Sequence, residues 1–235
     1  SIYNQTMKPN EVVVVDDCLK DGTVAILREY QHKFGLKFYV NEQNLGYNKN
    51  FEKAIKLCAG DYIALSDQDD IWLPDKVRTI CSYFESNPAI SVVFTDAALI
   101  GGNGERISDY TLWDAIRFSP FIPLWEAGCG FEIFNYHNMA TGATMAIRKS
   151  FYETMPLFMD DRAIIHDYQL ALAGILSGVI GIIQQPLIQY RLHQQNVVGV
   201  RKDNWIYQHD ALPPKPNMAL YTEPYPTHPY VRYYC

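Results

Sequence analysis

Leu65-Ser66-Asp67-Gln68-Asp69-Asp70-Ile71-Trp72 is the stretch whose reading decides the fold. An apolar run, Tyr62-Ile63-Ala64-Leu65, leads into it, and Pro74-Asp75 opens an amphipathic segment behind it. This order reads as strand, acidic loop, helix. Carboxylates packed so closely repel one another unless positive charge sits among them. A hard divalent cation, Mg2+ or Mn2+, suits such oxygens, because it uses one or two protein carboxylates and fills its shell with water and phosphate oxygens. Asp is also common in turns and at helix starts, so a solvated acidic turn capping the next helix reads equally well from the spacing alone.

Working outward, strand and helix alternate on both sides of this loop. Residues 11–15, Glu-Val-Val-Val-Val, have the look of a buried strand, and Asp16-Asp17 lies at its carboxyl end, where ligands gather in open α/β sheets. Leu27, Tyr30 and Phe34 fall at helical spacing, residues 36–40 form a second short strand, and Asn44-Leu45-Gly46 is a polar turn. Phe51, Ala54, Ile55 and Cys58 then mark one buried helix face, as do Val77, Ile80, Cys81 and Phe84 after the acidic loop. Residues 90–95 are another strand. The alternation predicts a largely parallel sheet with helices on both faces.

Beyond residue 96 the pattern loosens. Gly101-Gly102-Asn103-Gly104 reads as a turn between two short strands, and residues 110–137 are rich in aromatic side chains that suit either a core or a sugar-binding pocket. Residues 142–147 read as a strand, 166–176 as a helix, and 180–183 with 187–190 as two paired strands. From Trp205 onward the prolines forbid regular structure, which predicts an extended or disordered arm.

Composition narrows the function. The 235 residues, 48% of them hydrophobic, are enough for a packed core. A formal charge of −6 argues against a nucleic-acid partner. The five cysteines are scattered and odd in number, which suits a reducing compartment and no structural zinc. No apolar run approaches the ~20 residues a bilayer requires. The reading is therefore cytoplasmic, with peripheral contact at the inner face of a membrane left open.

Taken in order, several stretches resemble the glycosyltransferase family 2 enzymes and, among them, the rhamnosyltransferase-like bacterial members. They are Val14-Val15-Asp16-Asp17 with Asp21-Gly22-Thr23, Asn44-Leu45-Gly46, Gly60-Asp61-Tyr62-Ile63 running into the acidic loop, Thr141-Gly142-Ala143, His166-Asp167-Tyr168-Gln169-Leu170-Ala171-Leu172 and Tyr190-Arg191-Leu192-His193-Gln194-Gln195-Asn196. The resemblance implies an α/β GT-A fold, a Rossmann-like, mostly parallel mixed sheet flanked by helices. It places the enzyme domain at 1–200, with a nucleotide-sugar-binding half (1–96) and an acceptor-binding half (97–200), followed by a proline-rich tail (201–235). It further implies an inverting, metal-dependent transfer of a sugar, rhamnose being one candidate, from a nucleoside diphosphate sugar to a glycan or lipid-linked acceptor in bacterial surface polysaccharide synthesis.

By the same resemblance, Asp17 accepts a hydrogen bond from a pyrimidine base and Asp16 shapes the loop. Asp69 is the direct metal ligand, with Asp67 nearer the ribose or a bound water. Gly46, beside Asn44, lets the backbone approach the donor, although a plain turn explains it as well. Asp167 takes the base position, and Arg191 and His193 lie near the pyrophosphate. Capping of a helix start is the competing account of Asp167. The resemblance also implies a strand ahead of Ser1 that would form a central part of the sheet and one wall of the donor site. Cys18 stands where glycine or another small residue is usual. A nucleotide-sugar binder without catalysis, or an inactive truncated fragment, is the alternative, and the glycine-rich run 101–104 faintly suggests a sugar-phosphate nucleotidylyltransferase.

Overall fold

The β-branched run near the amino terminus forms β1 (Val13–Asp16), which pairs in parallel with β2 (Lys37–Val40) as a two-stranded sheet of its own. The computed structural model describes residues 1–18, 21–136, 138–154 and 164–192. Between the two strands runs α1 (Thr23–Phe34), ended by Gly35 in the left-handed conformation, φ 72°. Its apolar row is not sunk into a core: Ile26, Tyr30 and Phe34 are exposed, although Tyr3 from the 3-10 turn Ile2–Asn4 stacks on Phe34 at 4.3 Å. Next, α2 (Tyr47–Leu57) packs on β1 and buries Ile55 and Asn48.

The larger sheet begins at β3 (Tyr62–Ala64), and the acidic loop follows. That loop was read as running straight to a helix, but Ile71–Trp72 forms a short strand, β4, before α3 (Lys76–Ser86). The strand β5 (Val92–Ile100) runs five residues past the predicted end, turns at Gly101–Gly104 and pairs with β6 (Arg106–Thr111). Then come α4 (Leu112–Ala115), α5 (Ile122–Glu126) and α6 (Gly130–Tyr136). The 3-10 turn Gly142–Thr144 opens β7 (Met145–Arg148), followed by α7 (Lys149–Thr154), α8 (His166–Leu176) and β8 (Ile180–Arg191).

Strand order is β3-β7-β5-β8-β4, with β6 on β5. The expectation of a largely parallel sheet needs correction here. The pairings β3 with β7, β5 with β7, β4 with β8 and β5 with β6 are antiparallel, and only β1 with β2 pairs in parallel among those with a defined register. Its cause is plain in the register: Ala146 lies opposite both Ala64 of β3 and Val93 of β5. The crossover through α3 does make β3 and β5 run the same way, but β7, far later in the chain, is inserted between them in the opposite sense. A second correction concerns residues 180–190, read as two paired strands but forming the one strand β8. Pro186, between the two predicted segments, lies just beyond the residues that β4 pairs, Ile188 and Gln189, so its missing N–H interrupts no β4 hydrogen bond.

The chain divides into two compact units. One comprises Ser1–Ala97 and Ala140–Tyr190; the other comprises Ala98–Met139 with Arg191 and Leu192 among the described residues. In the first, Ile80 and Phe84 of α3 pack on Val93, Ala146, Ile183 and Leu187 of the sheet. Arg148 closes that layer, donating from Nη2 to the Phe84 carbonyl at 2.6 Å and from Nε to that of Ile90 at 2.7 Å. The second unit is built on aromatic rings: Trp113 meets Phe118 at 4.9 Å, and Phe118 and Phe134 bracket Trp125 at 6.0 and 5.9 Å. Trp113, Phe118 and Phe134 are fully buried, so these rings are core, whereas Tyr110 and Phe131 are exposed.

Candidate active site

The acidic loop is fixed at both ends by sheet pairing. Leu65 donates its N–H to the Met145 carbonyl at 2.9 Å, and Ile71 and Trp72 lie opposite Gln189 and Ile188 of β8. Between these anchors the loop turns back on itself and gathers Asp67, Asp69 and Asp70, with one carboxylate oxygen from each within 4.8 Å of the others. Burial, and after it the charge of Asp69, pushes the Asp67 carboxyl up to about 6, while Lys76 draws it back. Three half-buried oxygens at this separation form a donor set fit for a hard divalent cation. Asp70 was not among the predicted ligands; its place directly after Asp69 was the signal.

Lys76, the first residue of α3, is fully buried. Its Nζ donates to the Ala143 carbonyl at 2.8 Å and lies 4.1 Å from the centre of the Trp72 ring. Burial pulls the amine down to about 7, against the fields of Asp70 and Asp67. The start of α3 is clasped from the amino terminus. Gln5 bonds the Leu73 carbonyl and the Val77 N–H, and Thr6 bonds Pro74 and Asp75.

At the end of β1, Asp16 is buried and Asp17 organises the next loop. The Oδ1 of Asp17 accepts from Asn41 Nδ2 and from the Leu45 N–H, each at 2.8 Å, and its Oδ2 accepts from the Gly46 N–H at 2.9 Å. Asn44 Nδ2 donates to the Asp17 carbonyl at 3.3 Å. Gly46 adopts φ 79°, ψ 161°, a conformation closed to side-chain-bearing residues, and so starts α2. Asp17, Asn44 and Gly46 thus come together. Among the described residues, three donors take up three of the roughly four lone-pair positions of the Asp17 carboxylate. Cys18, where a small residue was anticipated, has φ 65°, the region glycine favours.

Asp167 sits in the first turn of α8 and is buried. Two main-chain N–H groups converge on it: Gly142 donates to Oδ2 at 3.0 Å and Tyr168 to Oδ1 at 2.6 Å. The residues before the helix are held from α2 and from α8 itself, Asn48 and Gln169 both donating to the Ile164 carbonyl. His166 stacks on Phe51 at 4.0 Å, is buried, and among the described residues neither ring nitrogen has a hydrogen-bond partner. Burial pulls its imidazole down to about 4.

Arg191 belongs to the other unit, where its Nη1 donates to the carbonyls of Gly101 and Gly102 at 3.1 and 2.8 Å and so ties the β5–β6 turn. His193 and the proline-rich tail lie outside the described residues.

The described chain thus combines a mixed α/β sheet flanked by helices, clustered carboxylates after one strand and a buried carboxylate at a later helix start. The family described as Glycosyl transferase family 2 matches residues 1–155, and the chain belongs to it. An uncharacterised glycosyltransferase of Methanocaldococcus jannaschii is 35% identical over 112 residues, covering 47% of this chain and 39% of the relative. Among solved structures, S. aureus TarS 1-349 in complex with UDP-GlcNAc superposes with TM-score 0.58 at 17% identity, covering 84% of this chain and 55% of that one. The mannosyltransferase PcManGT of Pyrobaculum calidifontis, in complex with GDP-Man and Mn2+, gives TM-score 0.52 at 17% identity, over 79% and 48%. These likenesses establish the GT-A fold. The chain spans less than two thirds of each of these proteins. Among the described residues, no helix is long and apolar enough to cross a membrane.

Proposed function

We propose that this chain carries the donor site and catalytic base of an inverting, metal-dependent glycosyltransferase. The observation that carries the proposal is the meeting of Asp67, Asp69 and Asp70 within 4.8 Å in a family 2 chain. Asp69 and Asp67, with Asp70, would hold Mg2+ or Mn2+, which supplies Lewis-acid stabilisation of the departing nucleoside diphosphate. The loop that Asp17 organises through Asn41, Leu45 and Gly46 forms a wall for the nucleoside, with one lone pair of Asp17 directed to a pyrimidine ring.

Asp167 receives the proton. As the acceptor hydroxyl forms its bond to the anomeric carbon, the bond from that carbon to the phosphate oxygen breaks and its electron pair leaves with the diphosphate. The hydroxyl proton passes to Asp167, whose carboxylate is held in place by the Gly142 and Tyr168 N–H groups. The acceptor is a glycan or lipid-linked glycan of bacterial surface polysaccharide synthesis, met in the cytoplasm at the inner face of the membrane. The transferred sugar is a hexose, with rhamnose the member implied by the subgroup resemblance.

Thermal shifts with uridine, thymidine and guanosine diphosphates and their sugars, with and without Mn2+, test this reading, because a ligand bound only by the folded state raises the melting temperature. A pyrimidine diphosphate should give a Mn2+-dependent shift that Asp69→Ala abolishes. Asp167→Ala should keep the shift and lose transfer. Binding without transfer by the unaltered chain would instead mark a nucleotide-sugar binder.

A further inference from the structure

The fully buried Lys76 is the least expected charged group among the described residues, since an amine removed from water is costly unless its surroundings require it. It bonds a main-chain carbonyl and faces an aromatic ring, and that carbonyl belongs to the short turn on which Asp167 rests. Lys76 Nζ holds Ala143 at 2.8 Å; the preceding residue, Gly142, donates to Asp167 Oδ2 at 3.0 Å. The turn has little freedom of its own, because the N–H and hydroxyl of Thr144 both return to the Thr141 carbonyl, at 2.8 and 2.7 Å. On its other side, Lys76 is the sixth residue after Asp70, and the ring beneath it, Trp72, belongs to β4, which ends the acidic loop.

We propose that Lys76 is a positioning residue that couples the metal-binding loop to the base Asp167 through the Ala143–Gly142 turn. This inference rests on the reading of Asp167 given above. The amine contributes no contact to substrate; it fixes the turn whose N–H orients the carboxylate toward the acceptor hydroxyl. A methionine at this position would fill the space and keep α3 packed, but would release the Ala143 carbonyl.

The test compares Lys76→Met, Asp167→Asn and the double variant with the unaltered chain, measuring release of nucleoside diphosphate at saturating donor and the dissociation constant of the Mn2+–nucleotide complex. Lys76→Met is expected to lower kcat at least tenfold without raising KM for the donor or weakening the Mn2+–nucleotide complex by more than about twofold, because losing a positive charge near Asp67 and Asp70 does not disfavour a cation there. In the Asp167→Asn background it should lower the remaining rate no further. An equal loss in both backgrounds, or unchanged kcat in a folded Lys76→Met chain, overturns the proposal. Should Lys76→Met not fold, Trp72→Leu removes the ring beneath the amine and is held to the same kcat-selective loss and the same non-additivity; a rate equal to the parent's overturns the coupling. If Asp167→Asn itself leaves kcat unchanged, the assignment of the base fails instead.

Discussion

Replacing Gly142 with alanine probes the placement of Asp167, the proposed base, most directly. A Cβ at this position would stand 2.9 Å from His166 Nε2 and 3.6 Å from the Asp167 Cβ. The imidazole cannot swing aside freely, because its face is stacked on Phe51. To restore an ordinary contact of ~3.6 Å the ring or the turn must retreat by about 0.7 Å. Overpacking of this size costs ~1–3 kcal/mol, offset by the ~0.4–1 kcal/mol that alanine gains over glycine through the unfolded chain, so a net loss of ~1 kcal/mol is expected. Activity should suffer more than stability. Because a displacement of ~1 Å can cost about a hundredfold in rate, a shift of this order predicts about a tenfold fall in kcat. Urea unfolding gives the first quantity and release of nucleoside diphosphate under saturating donor the second. In a His166→Ala background the added methyl has room, and both effects should largely vanish. A Gly142→Ala chain that turns over at the parent's rate would refute the idea that this turn sets the position of Asp167.

The same histidine gives a pH prediction. Its folded pKa of about 4 lies below the unfolded 6.5, so between these values the unfolded chain binds the proton and the folded chain does not. Stability must therefore fall as pH drops from 6.5 toward 4, by at most about 3 kcal/mol from this group. His166→Leu should lack that component, seen as a shallower acid limb in unfolding midpoints. Asp17→Ala removes the acceptor shared by the Leu45 and Gly46 N–H groups, which water can replace, and should cost ~0.5–1.5 kcal/mol with weakened nucleotide binding, read by calorimetry, whereas loss of neither would remove Asp17 from the donor wall. Cys18→Gly relieves a left-handed residue and should raise stability by up to ~1 kcal/mol in thermal unfolding; a fall would show that the bond from Sγ to Glu42 matters more.

Local patterns were legible wherever one side-chain period dominates. The helix over 166–176 was correctly delimited, the turn over 101–104 correctly placed, and β1 found to within a few residues. The carboxylate cluster was visible because its members are neighbours in the chain. What the sequence hid depends on distant partners: the antiparallel insertion of β7 cannot be read from strand and helix alternation, which reports direction and not adjacency. Lys76 was readable in part. It precedes Ile80 by four residues and Phe84 by eight, placing a charge on the buried stripe of α3, yet the distant Ala143 carbonyl, which helps a lysine to be tolerated there, is invisible in the sequence. Asn48 on the buried face of α2 is the same kind of signal, explained by the Ile164 carbonyl.

The insertion of β7 bears on how the protein is made. Until residues 145–148 emerge from the ribosome, β3 and β5 lack the neighbour that lies between them, and β3 and β5 each present bare peptide groups on that side. The larger sheet must therefore wait for β7 before it closes, a non-local step that favours slow assembly.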